Sequence, residues 1–321
     1  MNLSGALLIA CMASSGWAQS TEPERLIEAG HWKRARAIVE ARLREEADDP
    51  LASFLLSQIR NAFGDRSSPL ALAEKAAALD PKPAKYHRQI AECLGVMAQH
   101  SGAFQQLRLA RRFRKEIDAA LALDPGDTQA HRDLMEFYLL APGLLGGDWS
   151  KADEIAGRIA RIDAVEGCLA KARIAEARKQ GNEREAWLRR AVEAGPASYR
   201  ARMALAEFYL APAHANPAAA AAQAKAAIGL DRGRSAAYCV LAQIHAASRD
   251  WSALEEVLSA AAREVPDDPS PYYRAAARLA NSGGDLARAA RYLRLYLSQE
   301  PEGNQPTAAE AHALEFTFDP K

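Results

Sequence analysis

The densest charge chemistry in the sequence is Arg108, Arg111, Arg112 and Lys115, whose i, i+3, i+4, i+7 spacing lays four cations along one stripe of a helix. Such a stripe can dock an acidic partner or an anionic envelope surface. It can equally stand as a solvated face relieved by Glu116 and Asp118, with Leu107, Ala110, Phe113 and Ile117 buried opposite. Nucleophile, phosphate and metal chemistry have no comparable foothold. The chain lacks a Gly-x-x-x-x-Gly-Lys loop, a Gly-x-Gly-x-x-Gly turn, a Gly-x-Ser-x-Gly elbow and a His-Glu-x-x-His pair. Its seven histidines (31, 87, 100, 131, 214, 245 and 312) never fall at i, i+4, the spacing that puts two ligands on one helical face. No catalytic residue, cofactor or metal ligand is therefore assigned, and the chain reads as a non-enzyme. Cys93, Cys168 and Cys239 are odd in number and far apart, and read as buried free thiols. Gly146-Gly147 reads as a roomy turn rather than an anion cradle.

Composition narrows the class of element that must position these residues. Lysine plus arginine equal aspartate plus glutamate at 41 each, so the basic excess that grips nucleic acid is missing. With 49% hydrophobic residues over 321 positions there is ample material for a core. Abundant alanine with only 7% aromatics favours helices packed closely through small side chains over a sheet. The fold class is all-α.

The first residues carry an address. Leu3 through Ala13 is mostly apolar, no charged side chain precedes Glu22, and Gly16 and Ala18 are small at the positions a signal peptidase reads. This predicts a signal peptide over 1–18 and a mature chain from Gln19 in the periplasm or outside the cell. Leu8-Ile9-Ala10-Cys11 offers the alternative of a lipoprotein anchored at Cys11. No apolar run reaches the roughly 20 residues of a spanning helix, so the mature chain is expected to have no transmembrane segment.

A small, acidic, aromatic cluster followed by an alanine-rich helix recurs through the chain. Its copies are Gly30-His31-Trp32, Gly147-Asp148-Trp149, Arg249-Asp250-Trp251 and Gly284-Asp285-Leu286. Gly147 to Arg249 is 102 residues, three periods of 34, and Asp250 to Asp285 is 35. Breaks at Ala47 to Pro50, Pro81, Pro125, Asp163-Ala164, Pro196, Asp231, Pro266 and Pro301 divide the chain into eight helix pairs. Ser68-Pro69, Asn216-Pro217 and Ser270-Pro271 mark helix starts by a capping side chain before proline, and Thr307 with Glu310 predicts a capping box on a short final helix ending near Leu314. Met135 to Leu139 returns 71 residues later as Ala206 to Leu210, each copy followed by a proline-containing, widened turn. Trp32, Trp149 and Trp251 share one place in the repeat, which predicts that they interlock adjacent hairpins.

These residues resemble the tetratricopeptide-repeat (TPR) family of the exported bacterial type. The likeness is best in the last two units, through Tyr238, Leu241, Ala242, Leu254, Leu258, Ala261 and Pro266, then Tyr273, Ala277, Ala289, Leu293 and Pro301. It covers roughly residues 22 to 301, with units three and four longer than the pattern. The resemblance implies a right-handed α-solenoid over 19–304, followed by a short capping helix and frayed tail over 305–321. Physics agrees: a face such as Leu254, Leu258 and Ala261 cannot be buried by one hairpin, so neighbours must stack.

In TPR proteins the first helices of the repeats line a concave groove, which implies groove positions here for Lys85, Arg88 and Glu92, for Gln129, Arg132 and Glu136, and for Arg200, Met203 and Glu207. Arginines there can take a carboxylate bidentately and glutamates an amine, or the two can pair with each other. The expected function is a scaffold that binds a protein or peptide partner in the cell envelope, with self-association open. The alternative is a small-ligand-binding component of the kind exported TPR proteins associated with TRAP-type transporters resemble, favoured by an enclosed apolar pocket near Pro142 to Gly147.

Overall fold

The computed structural model describes residues 21–303 and 306–315. Cys11, Gly16 and Ala18, on which the export reading rests, lie outside the described residues, as does the tail after Glu315. Every regular element described is helical. Eight antiparallel hairpins follow one another: α1 (Glu22–Ala29) with α2 (Trp32–Glu45), α3 (Pro50–Ala62) with α4 (Pro69–Leu79), α5 (Ala84–Gln99) with α6 (Ala103–Leu123), and α7 (Thr128–Leu140) with α8 (Trp149–Ile162). The stack continues through α9 (Ala164–Ala177) with α10 (Gly181–Ala194), α11 (Tyr199–Leu210) with α12 (Pro217–Leu230), α13 (Ser235–Ser248) with α14 (Trp251–Glu264), and α15 (Ser270–Asn281) with α16 (Leu286–Leu297). A final helix, α17 (Ala308–Glu315), packs on α15 and α16, and its first turn is held by the reciprocal bonds of Thr307 and Glu310.

The acidic member of the repeated cluster is a helix cap. Asp148, Asp250 and Asp285 each accept backbone N–H groups of the first turn of the second helix, satisfying donors that have no partner inside it. His31, in the same place in the first copy, makes no such bond. Asn216 caps α12 through Ala219 N–H, but Ser68 turns its hydroxyl to Asp65 instead, and Ser270 is already the first residue of α15 rather than its cap.

Small residues set the spacing between helices. Ala35, Ala73, Ala120, Ala152, Ala191, Ala227 and Ala289, one in most second helices, are wholly buried where the helices cross. Helices α8 and α9 approach closely at Gly167, where a Cβ would lie 2.3 Å from Ala160 Cα. The extra length of unit three is helix: α5 and α6 run 16 and 21 residues. In unit four it is turn. Ala141 turns out of α7, Gly143–Leu145 form one 3-10 turn, and Asp148 N–H returns to Tyr138 C=O at 2.9 Å. The unit-six turn is wired alike, with a 3-10 turn at Pro212–His214 and Asn216 N–H on Tyr209 C=O at 2.9 Å. Gly147 is obligatory, since a Cβ there would sit 1.7 Å from Ala141 O.

The tryptophans stand at the first position of α2, α8 and α14, and two of them reach the next unit through arginine: Arg178 lies over Trp149 and Arg288 over Trp251. Trp149 is 43% exposed, so the link is a cation on a ring face rather than a buried wedge. The superhelix also closes on itself. From the start of α2, Lys33 Nζ donates to Glu300 O at 2.6 Å, Arg36 grips the Glu300 carboxylate through both terminal nitrogens at 3.0 and 2.7 Å, and Arg34 pairs with Asp267.

Gly167→Ala is expected to cost about 1–3 kcal/mol in urea denaturation, because the Cβ has nowhere to go. Gly229→Ala in α12, where nothing lies within 4 Å, is expected to gain about 0.5 kcal/mol. Equal effects at the two sites would contradict the close α8–α9 crossing.

Candidate functional site

The first helices of most successive hairpins lie against one another, α3 on α5, α7 on α9, α9 on α11, α11 on α13 and α13 on α15, and their charged residues form a chain of contacts from hairpin to hairpin. Lys85 of α5 reaches Glu24 of α1 at 2.6 Å, and Arg88 stands 3.5 Å from Asp127 at the start of α7. Arg132 of α7 and Arg200 of α11 share Glu166 of α9, at 3.4 and 2.6 Å. Glu136 of α7 takes Arg173 of α9 at 2.8 Å. Most of the ladder's cations are thus turned toward neighbouring helices. Each such pair contributes roughly 0.2–1 kcal/mol, small individually and repeated along the stack.

Two of these cations are incompletely satisfied. Arg88 Nε and Arg132 Nε are buried without a hydrogen-bond partner among the described residues, a state that usually costs stability and that a ligand acceptor would relieve. Carboxylates lie beside them. Glu92 reaches solvent yet is surrounded by protein on nearly every side; burial raises its pKa, while Arg88 and a 3.0 Å bond from Asn61 act the other way. Burial pushes Asp133 up to about 6, Arg88 opposing and the charge of Glu92 adding to the rise. Gln129 donates to Asp133 at 2.9 Å, which orients it.

From this centre a cleft of about 380 Å³ runs between α5, α6 and α7 to the widened turn. Glu92, Asp133 and Glu136 line its inner end, and Val96, Phe113, Phe137, Leu140, Pro142 and Leu145 line the rest. Phe113 and Phe137 stack at 5.4 Å between ring centres, fixing one wall, and Leu140 is 65% exposed at the cleft. The cleft is half open rather than enclosed, with a polar end and an apolar end.

The structure brings together Arg88, Glu92, Gln129, Arg132 and Glu136, and separates Met203 and Glu207 from them. Met203 does not line the groove: it is buried in the core with Leu205 and Phe208, because α11 turns that position inward. Glu207 opens on a different cavity. Asp133 shares a helical face with Gln129, four residues before it, and Glu136, three after it, but no charged residue recurs at its place in α5 or α11 (Gln89 and Ala204), so aligning the units does not single it out; Glu166 and Arg173 were missed because unit five has no clear motif. On α6, Arg108, Arg111 and Lys115 are exposed, whereas Arg112 is taken by Glu74 and Glu116. Asp118 serves Arg114 instead of the stripe, and the buried face is Leu109, Phe113, Ile117 and Ala120, with Leu107 and Ala110 at its margins. Cys93 and Cys239 are buried free thiols and Cys168 is half-buried; His245 is half-buried, 4.0 Å from Asp250. Among the described residues no group of His, Cys, Asp or Glu is arranged to hold a metal ion, and no helix is long and apolar enough to cross a membrane.

Stacked hairpins of this kind are found in solved structures. Yeast Tom70 superimposes with a TM-score of 0.55 at 15% identity, over 94% of this chain and 66% of the Tom70 chain. A tetratricopeptide-repeat protein from Parabacteroides merdae aligns over 92% of this chain and 95% of its own, at 14% identity and a TM-score of 0.44, and a TPR protein from Thermus thermophilus covers 66% of this chain and 98% of its own at 17% and 0.42. The fold is that of a TPR solenoid. This chain spans 66% of the length of the Tom70 chain it matches. No family model matches the sequence, and no curated protein matches it. Within the TPR frame the groove centre is made by the first helices of units three and four, and the apolar cleft by the unit-four insertion.

A carboxyl whose folded pKa lies above its unfolded value binds its proton more tightly when folded, so its ionisation costs stability above that pKa. For Asp133 the cost is fully present above about pH 6 and fades as the pH falls toward 4. Asp133→Asn is therefore expected to stabilise the protein at pH 7.5, with the gain disappearing near pH 4, as read by thermal unfolding of both proteins across that range. A gain that persists at pH 4 would show that the titration of Asp133 is not its source.

Proposed function

We propose that this TPR solenoid is a non-catalytic scaffold that holds an extended segment of a protein partner along its concave groove, anchored where the charged centre meets the apolar cleft. The observation that carries this reading is the pair of buried, unsatisfied Arg88 and Arg132 Nε groups, whose charges act on Glu92 and Asp133, two carboxylates that line a cleft walled by Phe137, Leu140 and Pro142. Peptide carbonyls or a carboxylate satisfy the arginines, a lysine or arginine of the peptide meets Glu92 and Asp133, and an apolar side chain fills the cleft. The signal pattern ending at Ala18 sets this work in the periplasm or outside the cell, with anchoring at Cys11 as the alternative. Exposed Arg108, Arg111 and Lys115 add a second, electrostatic contact for an acidic partner.

A second reading has its own support. A cleft of about 380 Å³ lies in the size range of small-molecule sites, so a small apolar ligand in the same place fits the alternative of a binding component of a TRAP-type system.

Panning a random peptide library against residues 19–321 tests the first reading. Enriched peptides are expected to pair an aliphatic or aromatic residue with a nearby lysine or arginine, and to lose about tenfold in affinity, about 1.4 kcal/mol, on Arg132→Gln and on Leu140→Asp. If no peptide is enriched, or both variants bind as well as the parent, the peptide reading fails. Displacement of an apolar fluorescent probe that is abolished by Leu140→Asp alone would then favour the small ligand.

A further inference from the structure

A second cavity exists because the first hairpin docks on the last. Gly30 and Trp32, at the turn from α1 to α2, close one side of it, and Glu207 of α11, Asp268 before α15, Arg274 of α15 and Glu302 after α16 form the other. Its volume is about 380 Å³, it is half open, and it shares no lining residue with the cleft beside Pro142.

Three carboxylates and one guanidinium meet there, an excess of negative charge in a confined space. Arg274 rests over the Tyr273 ring; the protein packed around Glu207 raises its pKa, with Arg184 and then Arg274 acting the other way, although the side chain itself stays open to solvent. Asp268 accepts Ser270 N–H at 2.9 Å through one oxygen. Glu302 is the most confined: its side chain is 2% exposed, and its Oε1 accepts Lys33 N–H at 2.7 Å. Its Oε2 lies 3.5 Å from Lys33 Nζ and has no hydrogen-bond partner among the described residues, because Lys33 gives its ammonium hydrogen bond to Glu300 O. Burial, with Asp267 and Asp268 close by, pushes Glu302 up to about 7.

A buried carboxylate oxygen without a donor calls for one from a ligand. A cationic donor suits a lining in which carboxylates outnumber Arg274, and the indole of Trp32 in the wall favours an organic cation, since its ring face attracts ammonium groups. We propose that this cavity binds a small organic cation bearing a primary ammonium group, held by Glu302, Asp268 and Glu207 against Trp32. The ammonium donates to Glu302 Oε2 and Asp268, and Glu207 neutralises a second positive end where the ligand carries one. Because Trp32 comes from the first hairpin and Glu302 from beyond the eighth, the site is complete only when the superhelix is closed.

A free amine and the lysine of a short peptide offer the same chemistry, and the experiment separates them. Isothermal titration calorimetry at pH 8, where Glu302 is ionised, uses 1,5-diaminopentane, a Gly-Lys-Gly peptide blocked at both ends, and 1-pentanol as the uncharged control. One-site binding of at least one amine and none of pentanol is expected. Glu207→Gln and Asp268→Asn are each expected to weaken it at least tenfold; both should fold, since Glu207 is exposed and asparagine keeps an oxygen for Ser270 N–H. Binding of the diamine identifies a free ligand, and binding of the peptide alone a peptide-borne lysine. Asp133→Asn, in the other cleft, should leave the binding unchanged, so this result stands or falls apart from the groove reading. Absence of binding by both amines, or affinity untouched by both variants, overturns the proposal.

Discussion

Helices in this chain approach closely because alanine lines their contacts, and that spacing governs everything larger. Ala35, Ala73, Ala152, Ala191 and Ala289 leave no accessible surface, and Gly167 brings two backbones nearer than any side chain would permit. A hairpin built this way has a narrow apolar face that it cannot bury alone, so each unit is stable through its neighbours. Such a stack has two vulnerable ends. Helix α17 covers part of one, placing Ala311 in full burial against the last hairpin, and the basic start of α2 draws the first hairpin onto the segment after α16. Local caps and terminal contacts thus serve the same end, which is to leave no unit with an unpartnered face.

Much of this was legible in the residues. Aspartate recurs at 148, 250 and 285, at multiples of a period near 34, because the second helix of a hairpin needs a cap where the turn delivers it, and proline recurs where the next unit begins. The two widened turns were legible because Glu-Phe-Tyr-Leu repeats, followed in both copies by Ala-Pro, after one further leucine in the first, and in both the tyrosine carbonyl accepts the capping residue's N–H. Less of the candidate site could be read. Lys85 and Arg88 lie on one helical face in any register, but whether their charges turn to solvent or to the next hairpin depends on the rotation between units, which no single unit encodes. Met203 is buried for the same reason: a slight rotation of α11 carries that position from groove to core. Closure is more remote still. Arg36 and Glu300 are 264 residues apart, and they meet because small rotations accumulate over eight units.

The groove's electrostatics follow from how the pairs are shared. Along the stack, arginines span from one first helix to the next, which holds the hairpins in register and leaves carboxylates such as Glu92 and Asp133 closely surrounded by protein. Burial disfavours the charged carboxylate more than the nearby guanidinium groups favour it, so the centre is poised to accept a proton or a cation.

The same sharing decides whether an arginine can leave its partner for a ligand. Breaking an isolated buried pair strands a charge, at a cost that can exceed what the new contact returns. Glu166 is not in an isolated pair: it holds Arg200 at 2.6 Å and Arg132 only at 3.4 Å. When Arg132 swings toward a ligand acceptor, Glu166 stays neutralised by Arg200, and Arg132 trades a long contact with an unsatisfied Nε for a full set of hydrogen bonds. Arg173, bonded to Glu136 at 2.8 Å, has no such release. The ladder is therefore uneven by construction, rigid at Arg173 and compliant at Arg132, and its compliant position is the one beside Asp133 and the apolar cleft.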